Sequence, residues 1–227
     1  MTQKNVFITG ASGGLGLELA KVFVENGFCV IGTGTNVDKI ESAKNSLGSS
    51  EFHLFLCDNR NEKTTLEILN LTSKIDIYVN NAGIYLEGLA VDNTFEKIES
   101  VINANLIGGI ITTRLVVSKM EIQENGIIVD INSNVSLIPK PNRSVYTASK
   151  KGFDDFIECL KLDYPKLTFV SIYPAGMKTE LHFSSGNPRS DYDKFLDPKL
   201  VAHEVVENLL LGKPFIQTKQ YFERDRI

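Results

Sequence analysis

Tyr146 and Lys150 bound the five-residue run Tyr146-Thr147-Ala148-Ser149-Lys150. On a helix, residues four apart share a face, so this spacing presents a phenol and an ammonium to one site. A free phenol has a pKa of about 10 and is a poor base near neutrality. A fixed cation beside it favours the phenolate, at about 1.4 kcal/mol for each unit of lowering. Taken alone, the spacing is common, and an ordinary surface helix with an incidental Tyr and Lys is the favoured reading. A second run points the same way. Thr9-Gly10-Ala11-Ser12-Gly13-Gly14-Leu15-Gly16 follows the first apolar run and opens the first helical pattern. Glycines there permit a tight turn and a close backbone approach to phosphate. The helix N-terminus behind them supplies N–H groups and a positive dipole end. The spacing is Gly-x3-Gly-x-Gly, not GxGxxG, and a plain flexible turn is the other reading.

Together with four further segments, these runs resemble the short-chain dehydrogenase/reductase family. Thr9–Gly16 is similar to that family's TGxxxGxG cofactor loop, and Asn80-Asn81-Ala82-Gly83 to its NNAG segment. Asn105 stands where the family carries an active-site asparagine. Ser133 stands where its catalytic serine lies, with Ser136 a rival nearby. The run ending at Lys150 resembles YxASK, and residues 173–179 resemble the PGxxxT turn, with Ala175 in place of the usual glycine. The resemblance implies a Rossmann-type fold and a hydride passing between a nicotinamide cofactor and a carbonyl or alcohol. It implies Tyr146 as general acid or base, and Lys150 lowering its pKa and holding the nicotinamide ribose. Ser133 donates to the substrate oxygen, and Asn105 holds the proton-relay arrangement. It further implies cofactor contacts from Gly10, Ser12, Gly13, Gly14, Leu15 and Gly16, and from Thr33, Thr35, Asn36, Asp58 and Asn59. Asn81, Ala82, Gly83, Pro174, Gly176, Met177 and Thr179 complete that set. For Asp58, an exposed turn carboxylate is an equal alternative to an adenine contact. A catalytically silent NADP-binding sensor or scaffold and a sugar-nucleotide-modifying relative are the alternative functions.

The elements that must position these residues alternate along the chain. Residues 6–9, 29–33, 52–57, 75–80, 127–132 and 168–173 form short, nearly continuous apolar runs, as strands covered on both faces do. Residues 15–26, 38–47, 62–73, 94–120, 145–164 and 198–211 carry helical periodicity. This order predicts βαβ units, and hence one α/β domain over residues 1–227 with a doubly wound parallel sheet. Residues 215–227 are read as holding a last short strand. Residues 180–198 break the alternation, mixing Gly186 and Pro188 with Phe183, Tyr192 and Phe195, and read as a substrate lid. On it His182 and Arg189, with Lys140 and Arg143 in the facing loop, are candidates to meet an anionic substrate such as a phosphorylated or nucleotide-linked sugar. Solvated loop charges are the plainer reading of these four.

The net charge of -4, without a long basic run, gives no general attraction to nucleic acid or an anionic membrane. The apolar stretch over residues 101–117 is broken by Asn103, Asn105 and Arg114 and reads as a buried helix, not a membrane span. Cys29, Cys57 and Cys159 have no CxxC spacing, and Cys29 and Cys57 read as buried thiols. His53, His182 and His203 show no metal-ligand spacing, so no metal is expected. With no signal-peptide pattern at the N-terminus, the expected location is the cytoplasm. Residues 32–36 lack the carboxylate that an NAD site places after the second strand. NADP(H) is therefore favoured, with NAD(H) possible. Phe153 and Phe156 are candidates for a surface that a monomer leaves exposed, which predicts a homodimer and, less readily given the short C-terminus, a tetramer.

Overall fold

β1 (Asn5–Ile8) shows in four residues how the fold is built. Successive strand side chains point to opposite faces, and here Val6 and Ile8 enter one core while Phe7 enters the other. In the computed structural model, which describes residues 3–182 and 192–212, β1 lies centrally in a six-stranded, wholly parallel sheet. The strands are β2 (Cys29–Gly34), β3 (Phe52–Leu56), β4 (Ile77–Asn80), β5 (Ile127–Ile131) and β6 (Thr168–Ile172). Their order across the sheet is β3-β2-β1-β4-β5-β6. The chain winds outward from β1 to β3 and then crosses back to β4 on the other side. The carboxyl ends of β1 and β4 therefore form the switch point where parallel sheets of this kind bind ligands.

Helices cover both faces. On one, α1 (Gly14–Glu25) and α7 (Pro198–Leu210) share a core in which Leu19 and Phe23 meet Val201 and Val205. α2 (Val37–Leu47) adds Ile40 and Ala43 to it. On the other, α3 (Glu62–Leu69), α5 (Gly108–Gln123) and α6 (Ser144–Asp163) bury Ile68, Val116, Met120 and Ile157 against Phe7, Tyr78 and Ile128. The helix read over residues 62–73 ends at Leu69, because Thr72 turns its hydroxyl to the Lys74 carbonyl and accepts from Asn5 Nδ2, a side-chain alternative to continuing the helix.

The long pattern over residues 94–120 is α4 (Phe95–Ile102), a π-helical segment (Asn103–Ile107) and then α5. By length and composition Phe95–Gln123 is apolar enough to cross a membrane. In the fold, however, Val116, Val117 and Met120 are core residues. Phe153, expected on an exposed face, is instead 1% exposed. Its ring lies where a Cβ on Gly109 would be 2.7 Å away, so the absence of a side chain at Gly109 seats Phe153 inside the monomer. Phe156 is half-buried beside it. Cys57 is buried, Cys29 only half so, and Cys159 exposed; none is in a disulfide. Residues 215–227, and Phe183, Gly186, Pro188 and Arg189, lie outside the described residues.

Candidate active site

A cleft of about 830 Å³ opens along the carboxyl ends of β1, β4, β5 and β6. A second cavity of about 370 Å³ adjoins it over β2 and β3, sharing Gly10, Ser12, Thr35, Ala82 and Gly83 as walls. The glycine loop forms the floor between them. Gly10 and Gly14 have φ of 68° and 53°, the left-handed region that side chains disfavour. Gly16 does not line the cleft; it lets the loop close, since a Cβ there would stand 2.3 Å from the Gly10 carbonyl oxygen. Asn81 ties the same loop down, donating from Nδ2 to the Thr9 and Gly10 carbonyls at 2.9 and 3.2 Å. Thr9 Oγ1 accepts from the backbone N–H groups of Asn81 and Ala82. Among the described residues no side chain caps α1, its first turn holds no acid, and a Cβ on Gly13 would meet nothing within 4 Å. An open, uncapped helix N-terminus of this kind fits a pyrophosphate.

The larger cleft carries Ser12, Gly13, Gly14, Leu15, Thr35 and Asn36 at one end, and Pro174, Gly176, Met177 and Thr179 on the opposite wall. Thr33, Asp58 and Asn59 line the smaller cavity. Both carboxylate oxygens of Asp58 accept from Arg60, and those hydrogen bonds hold its pKa below the usual carboxylate value. One residue near the β2 end escaped the sequence reading. Lys39, in the first turn of α2 and capped by Asn36 Oδ1, lines the cleft and pairs with Glu180 across its mouth at 2.5 Å. The signal was available, since Lys39 follows Asn36 by three residues, one helical turn.

At the other end Ser133, Tyr146 and Lys150 line one stretch of wall. Ser133 lies just after β5. Its side chain accepts from the Val135 N–H and hydrogen-bonds the Tyr146 phenol. Ser136 does not reach the cleft; its hydroxyl donates to Asn132 Oδ1. Between the two serines, the geometry selects Ser133. Tyr146 packs edge-on against Tyr85, ring centroids 5.0 Å apart. Lys150 Nζ donates to the Ile131 carbonyl at 2.9 Å. Asn105 sits behind the wall on the π-helical segment, a local geometry that recurs at functional sites. Its amide pairs with both backbone groups of Ile84 and with Ser149 Oγ. Position 83 is tight: a Cβ there would lie 3.0 Å from Asn105 Oδ1, which would have to shift by a few tenths of an ångström, and 3.8 Å from Lys150 Nζ.

The electrostatics differ from the sequence expectation in one respect. Burial pushes the Tyr146 phenol up to about 12, opposed by the Ser133 hydrogen bond; the expected lowering by Lys150 is not seen. Lys150 is itself buried, which pushes its amine down, opposed by the charge of Asp130. Asp130 is a second residue that the sequence reading missed. It lies fully buried on β5, accepting from Asn80 Nδ2 at 3.1 Å and Asn132 Nδ2 at 2.8 Å. Burial raises its pKa and the Lys150 charge lowers it. An acid inside an apolar strand gives no sign in the sequence of which buried cation faces it.

The loop after β6 returns to this wall. Met177 and Leu196 form a parallel bridge, with Leu196 N–H on the Gly176 carbonyl and Lys178 N–H on the Leu196 carbonyl, each 2.8 Å. A Cβ on Gly176 would lie 2.9 Å from the Phe195 ring, so this glycine, rather than the one replaced by Ala175, permits the close approach. Leu181, Phe195 and Leu196 thus line the cleft from both ends of the segment read as a lid.

Comparison with known proteins agrees with this architecture. The short chain dehydrogenase family profile matches residues 4–189. The 3-oxoacyl-[acyl-carrier-protein] reductase of Rickettsia prowazekii is 30% identical over 183 residues, covering 80% of this chain and 76% of that protein. Carbonyl reductase family member 4 of Xenopus laevis is 31% identical, covering 92% and 91%. A serine dehydrogenase solved in a closed form with NADP+ superposes with a TM-score of 0.81 at 27% identity, covering 89% and 88%. The chain belongs to the short-chain dehydrogenase/reductase family of NAD(P)-dependent oxidoreductases.

Proposed function

We propose that this protein moves a hydride between NADP(H) and a carbonyl or alcohol substrate, with Tyr146 as the proton donor in reduction and acceptor in oxidation. The observation that carries this reading is the shared wall: Ser133, Tyr146 and Lys150 line the same cleft as the uncapped N-terminus of α1. The residues present fit the cofactor, whose nicotinamide supplies or takes the hydride when bound. Gly13, Gly14 and Leu15 would hold its pyrophosphate, and Thr179 and Lys150 its nicotinamide end. Tyr146 Oη, protonated in its buried setting, is suited to donate to a substrate oxygen. Ser133 Oγ supports the charge that develops on that oxygen. Asn105 holds the backbone at Ile84, fixing the wall beside Lys150. An intact set of this kind favours turnover over a silent sensor.

The preference for NADP(H) rests on Thr35, Asn36 and Lys39 at the β2 end of the cleft, where residues 32–36 carry no carboxylate; a 2′-phosphate there would compete with the Glu180 carboxylate for Lys39. The similar serine dehydrogenase was solved with NADP+. A cytoplasmic location is supported by the free thiols of Cys57 and Cys159, which suit a reducing compartment. The test is Tyr146→Phe assayed against a panel of ketones and aldehydes with NADPH. Turnover should fall about 100- to 10,000-fold, the range of positioned acid–base catalysis, while NADPH titrates as in the parent. Near-native rates in Tyr146→Phe would overturn the assignment.

A further inference from the structure

Arg143 is the residue on the substrate side of the cleft that the chemistry above does not use. It caps the N-terminus of α6, half-buried, three residues before Tyr146. Its backbone is fixed on both sides. Its carbonyl accepts from the Thr147 N–H at 2.7 Å, and the preceding Asn142, at φ of 60°, accepts from Gly88. Its side chain lines the cleft with the guanidinium carbon 5.8 Å from the Tyr85 ring centroid. Tyr85 in turn packs on Tyr146, so the guanidinium stands one aromatic ring away from the proton donor. Arg143 Nε is buried and has no hydrogen-bond partner among the described residues. Buried donors are rarely left unpaired, and a charged one left so is costly unless a ligand completes it.

The charge around it points to the ligand's sign. Among the described residues lining the cleft, Lys39, Lys140, Arg143, Lys150 and Lys194 are cationic and Glu180 alone is anionic. Glu180 is engaged by Lys39 at the mouth. The chain as a whole carries -4. Asp130 offsets Lys150 and Glu180 offsets Lys39, while the lining beside Tyr85 and Tyr146 keeps the Arg143 guanidinium. A local cation of this kind attracts an anion whatever the net charge. Guanidinium is the group whose planar fork matches an oxyanion.

We propose that Arg143 is a specificity residue that binds an oxyanion, a carboxylate or a phosphate ester, carried by the substrate a short spacer from the reacting carbonyl. This deepens the oxidoreductase reading and rests on it for where the carbonyl lies. The test compares matched pairs under NADPH: levulinate against methyl levulinate, and dihydroxyacetone phosphate against dihydroxyacetone. In the parent, the charged member of one pair should be favoured at least about tenfold in kcat/KM. Arg143→Gln should cut that preference by about 10- to 100-fold, the span of one charge-assisted hydrogen bond, and Arg143→Lys should fall between. Which pair responds identifies carboxylate or phosphate. Equal preference in parent and Arg143→Gln, or a proportional loss on both members, would overturn the proposal and leave Arg143 a packing residue on Tyr85. A calorimetric titration of levulinate and of dihydroxyacetone phosphate into the protein with NADP+ reads the anion site without turnover. Saturable binding weakened in Arg143→Gln, with no member of any pair reduced, would keep the anion site and sink the placement of a reducible carbonyl beside Tyr146 for these anions. Absence of binding by both anions would sink the anion site.

Discussion

Asp130 and Lys150 are both buried, and each feels the charge of the other. Burial pushes the carboxyl up and the amine down, and the charge of each opposes the shift of the other. Asp130 also raises the Tyr146 phenol, as the smallest of the effects on it. Replacing Asp130 by Asn therefore lowers both groups that must stay protonated for reduction: Lys150 loses the charge that favours its ammonium, and Tyr146 loses a charge that disfavours its phenolate. The alkaline limb of kcat/KM for reduction should move to lower pH in Asp130→Asn. A variant with reduced stability but an unmoved limb would confine Asp130 to a structural role. Lys39 gives a second prediction at this scale. Its side chain is about half exposed and already paired with Glu180, so its contribution is screened and modest. Lys39→Gln should weaken NADPH binding several-fold and leave NADH nearly unchanged, read by fluorescence titration. A parent that binds NADH markedly more tightly than NADPH would overturn the cofactor preference itself.

The segment over residues 180–198 is the element whose behaviour matters most to this site. Both of its described ends are tied to the cleft, the first by Lys39–Glu180 and the second by the Met177–Leu196 bridge. Tyr192 and Phe195 pack with their rings tilted at 48°, centroids 5.4 Å apart, giving the returning end apolar weight. The lid reading expects hydrogen exchange over residues 180–198 to be fast in the free protein and slowed by NADP(H), as the segment closes on the site and excludes water. Protection already complete without cofactor would make it a fixed wall. The π-helical segment is the other element with a consequence. It offsets the helix by part of a turn between α4 and α5 and faces Asn105 inward, where a regular helix would continue the preceding register.

At the scale of the whole molecule, assembly is the open proposition. Phe153 no longer supports it, being core. Other side chains do: Phe95 on α4 is 72% exposed, Ile122 on α5 is 84% exposed and Leu162 on α6 is 82% exposed. The dimer proposal is that a second copy covers side chains of this kind; a contiguous apolar patch, not single exposed residues, is what marks an interface. The proposed homodimer predicts a mass of twice 25.2 kDa by light scattering at micromolar concentration. A monomer mass there would count against it.

Much of this protein was determined by local sequence. Six apolar runs separated by helical periodicity specified a parallel α/β sheet, because strands buried on both faces must be apolar throughout and parallel neighbours need a crossover. The boundaries agree within a few residues at β2, α2 and α6. Spacing alone put Tyr146 and Lys150 on one helical face, and glycine's tolerance of positive φ marked the loop at Gly10 and Gly14. Tertiary structure decided what depends on groups distant in the chain. Ser133 rather than Ser136 reaches the cleft because Asn132 engages the latter. Phe153 is inside because Gly109, on another helix, has no side chain. The Tyr146 phenol is raised, not lowered, because burial outweighs what four-residue spacing suggested. Asp130 acquires meaning only through neighbours many residues away, and Arg143, a candidate for an anion by type and place, gains its setting on Tyr85 and Tyr146 from the fold. Periodicity reports which face of an element is buried; it does not report what lies against that face, and burial and charge act through what lies there.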